Sequence, residues 1–379
     1  MRSTGAKRLI ITGIAVALAA LSVTTASNSA YGADRPAETP AVTTSYTVNG
    51  YLSAVVDVSR TEAFAAGNSG SSNNPTSLLL HWNGQKWAPV TAPKPVTGDL
   101  LGLTEVNSKS IFAVGFQVTS SKAIVPLILH WNGSSWSHLS GPAGVQGGFS
   151  GIGQAGSTLL AVGASNGDPM LNMERTGNTW KKLPVPSTAG DLLNVIVTGT
   201  KSAWAGGITE NAKTFSPNGD VLLRWNGSSW KSVSFPLQGT NHELWGMAGG
   251  PHGAVWAVGA STNSSGSSSA PLSMLWNGSA WRKVAVPSPA DGELDGVGFV
   301  PGGTAWAVGD SGFGANTLVL RWTGTAWQKV ASPSPLYDVY LNAVSASSTS
   351  DAWAVGAGSA TATSAWKTII EHWNGDAWH

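Results

Sequence analysis

The chain contains no cysteine, and that absence closes off several chemistries at once. Disulfides, thiolate metal sites, cysteine nucleophiles and thioether-linked lipids are all excluded. Charge is scarce as well: Asp, Glu, Lys and Arg make up 11% of 379 residues, with a formal net charge of +1. No run of Lys or Arg follows residue 8, so neither nucleic acid nor an anionic membrane surface is an expected partner. Tyrosine is down to five residues, whereas tryptophan reaches 19 and glycine 47. A chain this apolar and aromatic is not a disordered one, and it has the material for a large core.

Only one long apolar run occurs. Arg2, Lys7 and Arg8 precede LIITGIAVALAALSV at 9–23, which suits a signal-peptide core and is short for a membrane-spanning anchor, the alternative reading. The pattern predicts a signal peptide over 1–33, with Ala26, Ala30 and Ala33 as candidate cleavage points, then a linker over 34–40. The mature chain is expected to be secreted, extracellular and free of the membrane. Without disulfides, such a protein has to rely on its core for stability.

What remains, residues 41–379, is repetitive. HWNGQKW at 81–87 recurs as HWNGSSW, ERTGNTW, RWNGSSW, LWNGSAW, RWTGTAW and HWNGDAW, with closing tryptophans 44 to 51 residues apart. A second segment precedes each, from AFAAG at 63–67 to AWAVG at 352–356, and a weaker one such as YLSAV or YLNAV opens each unit. Seven units of about 48 residues, rich in strand formers and turn residues, predict an all-β, seven-bladed β-propeller with four strands per blade. Asn-Gly is a strong hairpin signal, and the third-to-fourth loop reads as either two or four residues long. By parity Trp82 and Trp87 then share one blade face and His81 the other, while Trp353 and Val355 oppose Ala352, Ala354 and Gly356. A bulky face against a small-residue face lets blades stack. Seventeen of the 19 tryptophans fall at these motif positions and are expected in the inter-blade core; Trp245 and Trp366 fall outside them. The third unit, with Leu160 and Arg175 in place of aromatics, is expected to pack least well.

An apolar inner strand, a second strand ending in glycine, an aromatic in the third and a tryptophan opening the fourth resemble the kelch repeat of the galactose-oxidase central domain. The single glycine and the tryptophan bring AWAVG…HWNG…W closer to uncharacterised repeat propellers of secreted bacterial proteins. The resemblance implies a fold rather than an activity, because propellers host many functions. It also implies that second-to-third loops and inter-blade loops share one rim, the top, where variable segments such as 209–220 and 261–271 fall. The last unit stops one strand short, and AVTTSYT at 41–47 is expected to complete it and close the ring.

Acidic residues concentrate on the predicted top. Trp245, Glu243, His242, Glu293, Asp295, Asp310 and Trp366 are the candidate ligand-binding residues, since aromatic faces beside carboxylates suit a ligand pocket. No catalytic residue, cofactor or metal site is predicted: His81, His130 and His372 share a motif position with leucine and arginine, and the sequons at Asn132, Asn226 and Asn277 coincide with the turns. A galactose-oxidase-like copper site would need a cysteine, and no GxSxG, HExxH or dinucleotide motif is present. The expected function is a non-catalytic, monomeric extracellular protein that binds a glycan or another protein through its top loops. The alternative is a polysaccharide hydrolase or lyase using the acids of blades five and six.

Overall fold

Each repeat contains four short apolar segments separated by Gly, Asn and Ser, and each folds as a small antiparallel sheet. The computed structural model describes residues 46–379 except 72–73, 91, 156, 166–167, 187–189, 200, 211–216, 235–236, 238–240, 263–268, 288–290, 313 and 335. The segments expected to be a signal peptide and linker, 1–33 and 34–40, and parts of the loops at 209–220 and 261–271, thus lie outside the described residues. Six sheets have four strands in sequential order and the seventh has three. The chain is a seven-bladed β-propeller.

The seventh blade is completed from both ends of the chain. Trp378 bridges Trp373, and His372 and His379 exchange backbone hydrogen bonds of 2.9 and 3.1 Å. At the other end of the same strand, Thr368 donates its N–H to the Val48 carbonyl, and its hydroxyl donates to the Tyr46 carbonyl at 2.9 Å. The Gly50 N–H reaches Trp366 O. Tyr46–Asn49 therefore lie along the last blade's outer strand; the rest of the expected closing strand, 41–45, is outside the described residues.

Eight apolar clusters fill the seven seams between neighbouring blades, two of them at the seam between blades two and three, and the bulky and small faces meet there as expected. Trp353 and Val355 face the first blade, whereas Ala352 and Ala354 face the sixth. At four seams a second-strand tryptophan is caged by two tryptophans of the next blade: Trp306, 1% exposed, lies 5.0 Å from Trp373 and 5.1 Å from Trp378. The same cage forms from Trp204, Trp256 and, across the closing seam, Trp353. Blade three departs from it. Trp180 is the one closing tryptophan that is not fully buried, and Arg175 lies 6.0 Å from its ring.

The Asn-Gly connections take the four-residue form. Trp82 pairs with Trp87, the Asn83 side-chain oxygen accepts the N–H groups of Gln85 and Lys86, and Gly84 takes φ +86°. Asn132, Asn226 and Asn277 make the same turn. His81, His130 and His372 stack on Phe64, Phe112 and Trp353, and Arg224 and Arg321 use the equivalent place for contacts with Trp204 and Trp306. In these five blades the position packs against an aromatic ring; in blade three Glu174 stands opposite Leu160 instead.

Candidate functional site

The inner strands converge on a central channel, and their sequences share an irregularity that shapes it. Core residues recur three apart, as Leu52 and Val55, Leu244 and Met247, Leu294 and Val297, or Leu341 and Val344, and each pair belongs to one apolar cluster. A regular strand would put residues three apart on opposite faces. The chain resolves the conflict with one extra residue: every inner strand carries a β-bulge there, as the register shifts between Leu52 and Ala54 and between Leu244 and Gly246 show. The seven bulged residues are Ser53, Leu101, Ser150, Leu193, Trp245, Asp295 and Asn342. Together they line a channel cavity of about 250 Å³.

Small residues make this geometry fit. A Cβ added at Gly67, Gly259 or Gly356 would overlap an inner-strand carbonyl oxygen, which explains the glycine that ends each second-strand motif. After the bulge, a Cβ on Gly246 would stand 2.7 Å from the Asp295 carbonyl oxygen of the next blade. Side-chain amides tie neighbouring inner strands together: Asn194 Nδ2 donates to Trp245 O at 2.7 Å, and Asn342 Nδ2 to Leu52 O at 2.8 Å.

The seven sequence-predicted site residues fall into three groups. Trp245 and Asp295 line the channel. Glu293, Asp295 and Asp310 surround Tyr340 at the seam between blades six and seven, where Trp366 packs against the Tyr340 ring at 5.3 Å. Burial, followed by the charges of Asp310, Asp338, Glu293 and Asp295, pushes the Tyr340 phenol well above its ordinary range. Asp310 accepts the Gly314 N–H at 2.9 Å, and Glu293, Asp295 and Asp310 are only 3%, 4% and 1% exposed. His242 and Glu243 instead belong to the seam between blades four and five. There His242 Nδ1 lies 3.7 Å from Asp220 Oδ2. Burial, with Lys283 nearby, lowers the His242 pKa, so at neutral pH this is a polar contact and not an ion pair. Burial and then the charge of Glu243 push Asp220 up to about 7.

Two groupings leave no mark in the sequence. One is the placing of Tyr340 at the centre of the acidic seam. The other is a buried group between blades one and two, where Asp99 Oδ2 accepts Tyr51 Oη–H at 2.6 Å and Asn68 Nδ2–H at 2.9 Å. Burial pushes Asp99 up to about 6 in spite of those donors. The bulge ring itself was legible in the three-residue spacing of the inner-strand core positions. Among the described residues no group of three or more His, Asp or Glu is arranged to hold a metal ion.

No protein-family model matches the chain, and no curated protein sequence does either. Solved structures do resemble it. The GH74 xyloglucanase from Xanthomonas campestris aligns with a TM-score of 0.55 at 13% identity, over 88% of this chain and 55% of that one. The extracellular domain of a hybrid two-component system from B. thetaiotaomicron aligns at 0.52 and 11% identity, over 84% of this chain and 38% of that one. The β-propeller domain of the Trilobed protease from Pyrococcus furiosus aligns at 0.53 and 10% identity, over 86% and 96%. The chain spans about half or less of the first two. At such identities the likeness is one of fold.

Proposed function

We propose that this is a secreted, non-catalytic binding protein that recognises an extracellular glycan or protein at its top face, with the channel mouth as the centre of the site. We read residues 1–33 as its signal peptide, 34–40 as a linker, the blades as kelch-like in type, and the mature protein as a monomer. The observation that carries the reading is the bulge ring. Its seven members occupy equivalent positions but differ in kind, with Trp245 the only aromatic. A repeat lectin with one sugar site per blade would repeat its polar residues from blade to blade; this ring supports one asymmetric site instead. Carbohydrate-related and extracellular neighbours of the same fold are in keeping with a glycan ligand.

The second reading, a polysaccharide hydrolase or lyase, draws on the acids Glu293, Asp295 and Asp310. The burial of Glu293 and Asp310 around Tyr340 counts against it: general acid and base groups must reach a substrate, Asp310 is committed to the Gly314 N–H, and Asp295 is the one carboxylate among the described residues that line the channel. A glycan array paired with an activity screen on polysaccharides separates the two. Saturable binding without turnover is expected; cleavage that is lost in Glu293→Gln or Asp310→Asn would establish the enzyme.

A further inference from the structure

Reading around the bulge ring reveals two arcs. Blades six, seven and one contribute Asp295, Asn342 and Ser53 in succession, all polar. Blades two to five contribute two leucines, a serine and Trp245, so that three of four are apolar. The channel is amphipathic across its width.

The polar arc is also rich in acceptors. Asn342 uses its Nδ2 to bond Leu52 O, which leaves its amide oxygen for a ligand. The Ser53 hydroxyl is shielded from solvent and has no hydrogen-bond partner in the structure. Asp295 adds a carboxylate, with Glu293 and Asp310 behind it around Tyr340. None of the described residues lining the cavity is basic. An occupant therefore needs hydrogen-bond donors along one edge and an apolar face on the opposite side. A pyranose ring has that pattern, with hydroxyl donors on its rim and C–H groups on the face that stacks on an indole. A cavity of about 250 Å³ suits one such ring more than a chain lying lengthwise.

Building on the binding role proposed above, we infer that the channel takes a single terminal sugar residue that is neutral or amine-bearing, and rejects sugars carrying a carboxylate. A uronate or sialate would bring an anion beside the Asp295 carboxylate in a partly desolvated site where no described lining residue is basic, and the repulsion there is far stronger than in water. An ammonium group would find the opposite.

The test uses the full mature protein on an array in which each neutral terminal hexose is matched with its 2-amino and its uronic acid counterpart. Two variants go with it. Trp245→Ser installs the residue that Ser53 and Ser150 already place in the ring, and Ser53→Leu installs the one that Leu101 and Leu193 place there, so both suit the fold. The expected result is binding to neutral or amine-terminated members, at least tenfold weaker binding to the matched uronates, and at least tenfold loss in both variants with melting temperatures held within a few degrees. Uronates binding as well as their neutral partners would overturn the inference, as would hits indifferent to both variants, although the binding role would then stand with its site on the outer loops. If no glycan on the array is bound, the inference falls. If the protein also cleaves what it binds, it is the proposed function that fails.

Discussion

Trp327 donates its indole Nε1–H to Ser273 Oγ of the preceding blade at 2.9 Å. At other seams the closing tryptophan meets an apolar residue in the place of Ser273: Trp136 packs with Leu79, Trp281 with Leu222, Trp378 with Val319 and Trp87 with Ile370. Those four indole N–H groups are buried without a partner. The seam between blades five and six is thus the one at which this repeated position forms a hydrogen bond among the described residues. Ser273→Ala should cost about 1–2 kcal/mol in urea unfolding, the usual effect of stranding a buried donor. A change of less than a few tenths would show that the bond adds nothing to packing.

Two further polar residues stand where the repeat calls for apolar ones. Asn172 is 0% exposed, and neither its amide oxygen nor its nitrogen has a partner; leucine, isoleucine or valine holds the equivalent position in five other blades. Glu371 is 2% exposed with both oxygens unpartnered, at a position that is leucine or methionine in the other six blades. Asn172→Leu and Glu371→Leu should each stabilise the propeller by about 1–3 kcal/mol, by removing a desolvated polar group from the core. Chemical unfolding of the two variants checks this; destabilisation by either would mean that its polar atoms are satisfied in solution.

The pH dependence follows from the same burial. Desolvation pushes Glu371 up to about 8, and burial together with the charge of Asp351 pushes Asp57 up to about 8. Between their ordinary range near 4 and pH 8, the unfolded chain has released these protons while the folded one keeps them. Unfolding then releases protons, so stability falls as pH rises through this window. Asp351 acts in the opposite sense. Burial raises its pKa, but hydrogen bonds from His372 and Ser347 outweigh that and hold it below the ordinary value, so its contribution is lost on acidification below about 4. Melting temperatures should peak in mildly acidic buffer and decline towards pH 8, and Glu371→Leu should flatten the decline. A stability that climbs steadily from pH 5 to 8 would contradict these assignments.

Ring closure can be tested at Thr368. Its hydroxyl donates to Tyr46 O and accepts the Val48 N–H at 3.1 Å, fastening the N-terminal segment to the last blade. Deleting residues 34–48 from the mature protein should lower the melting temperature sharply, and Thr368→Val should reproduce part of that loss. An unchanged melting temperature after the deletion would show that the ring holds without the N-terminal segment.

The sequence carried the fold because the repeat writes the blade seven times over: the closing tryptophans, the Asn-Gly turns and the glycine of AWAVG each have one structural task. It carried the site less well. Trp245 stood out because Ser53, Asp295 and Asn342 hold its position elsewhere, and that alignment proved to be the bulge ring. Grouping His242 and Glu243 with Glu293 and Asp310 did not follow, since which seam an inner-strand side chain enters depends on the neighbouring blade. Asp220 receives His242, and Tyr340 draws in the acids of blade six. Such long-range partners leave no local pattern to read.

The central claim is that seven equivalent blades make one asymmetric site at the channel mouth. Titration calorimetry of the mature protein with its best array ligand measures this directly, as the number of ligands bound per chain. One per chain, abolished in Trp245→Ser with the melting temperature within a few degrees of the parent, is the predicted result. Several ligands per chain, or binding that survives Trp245→Ser intact, would contradict it.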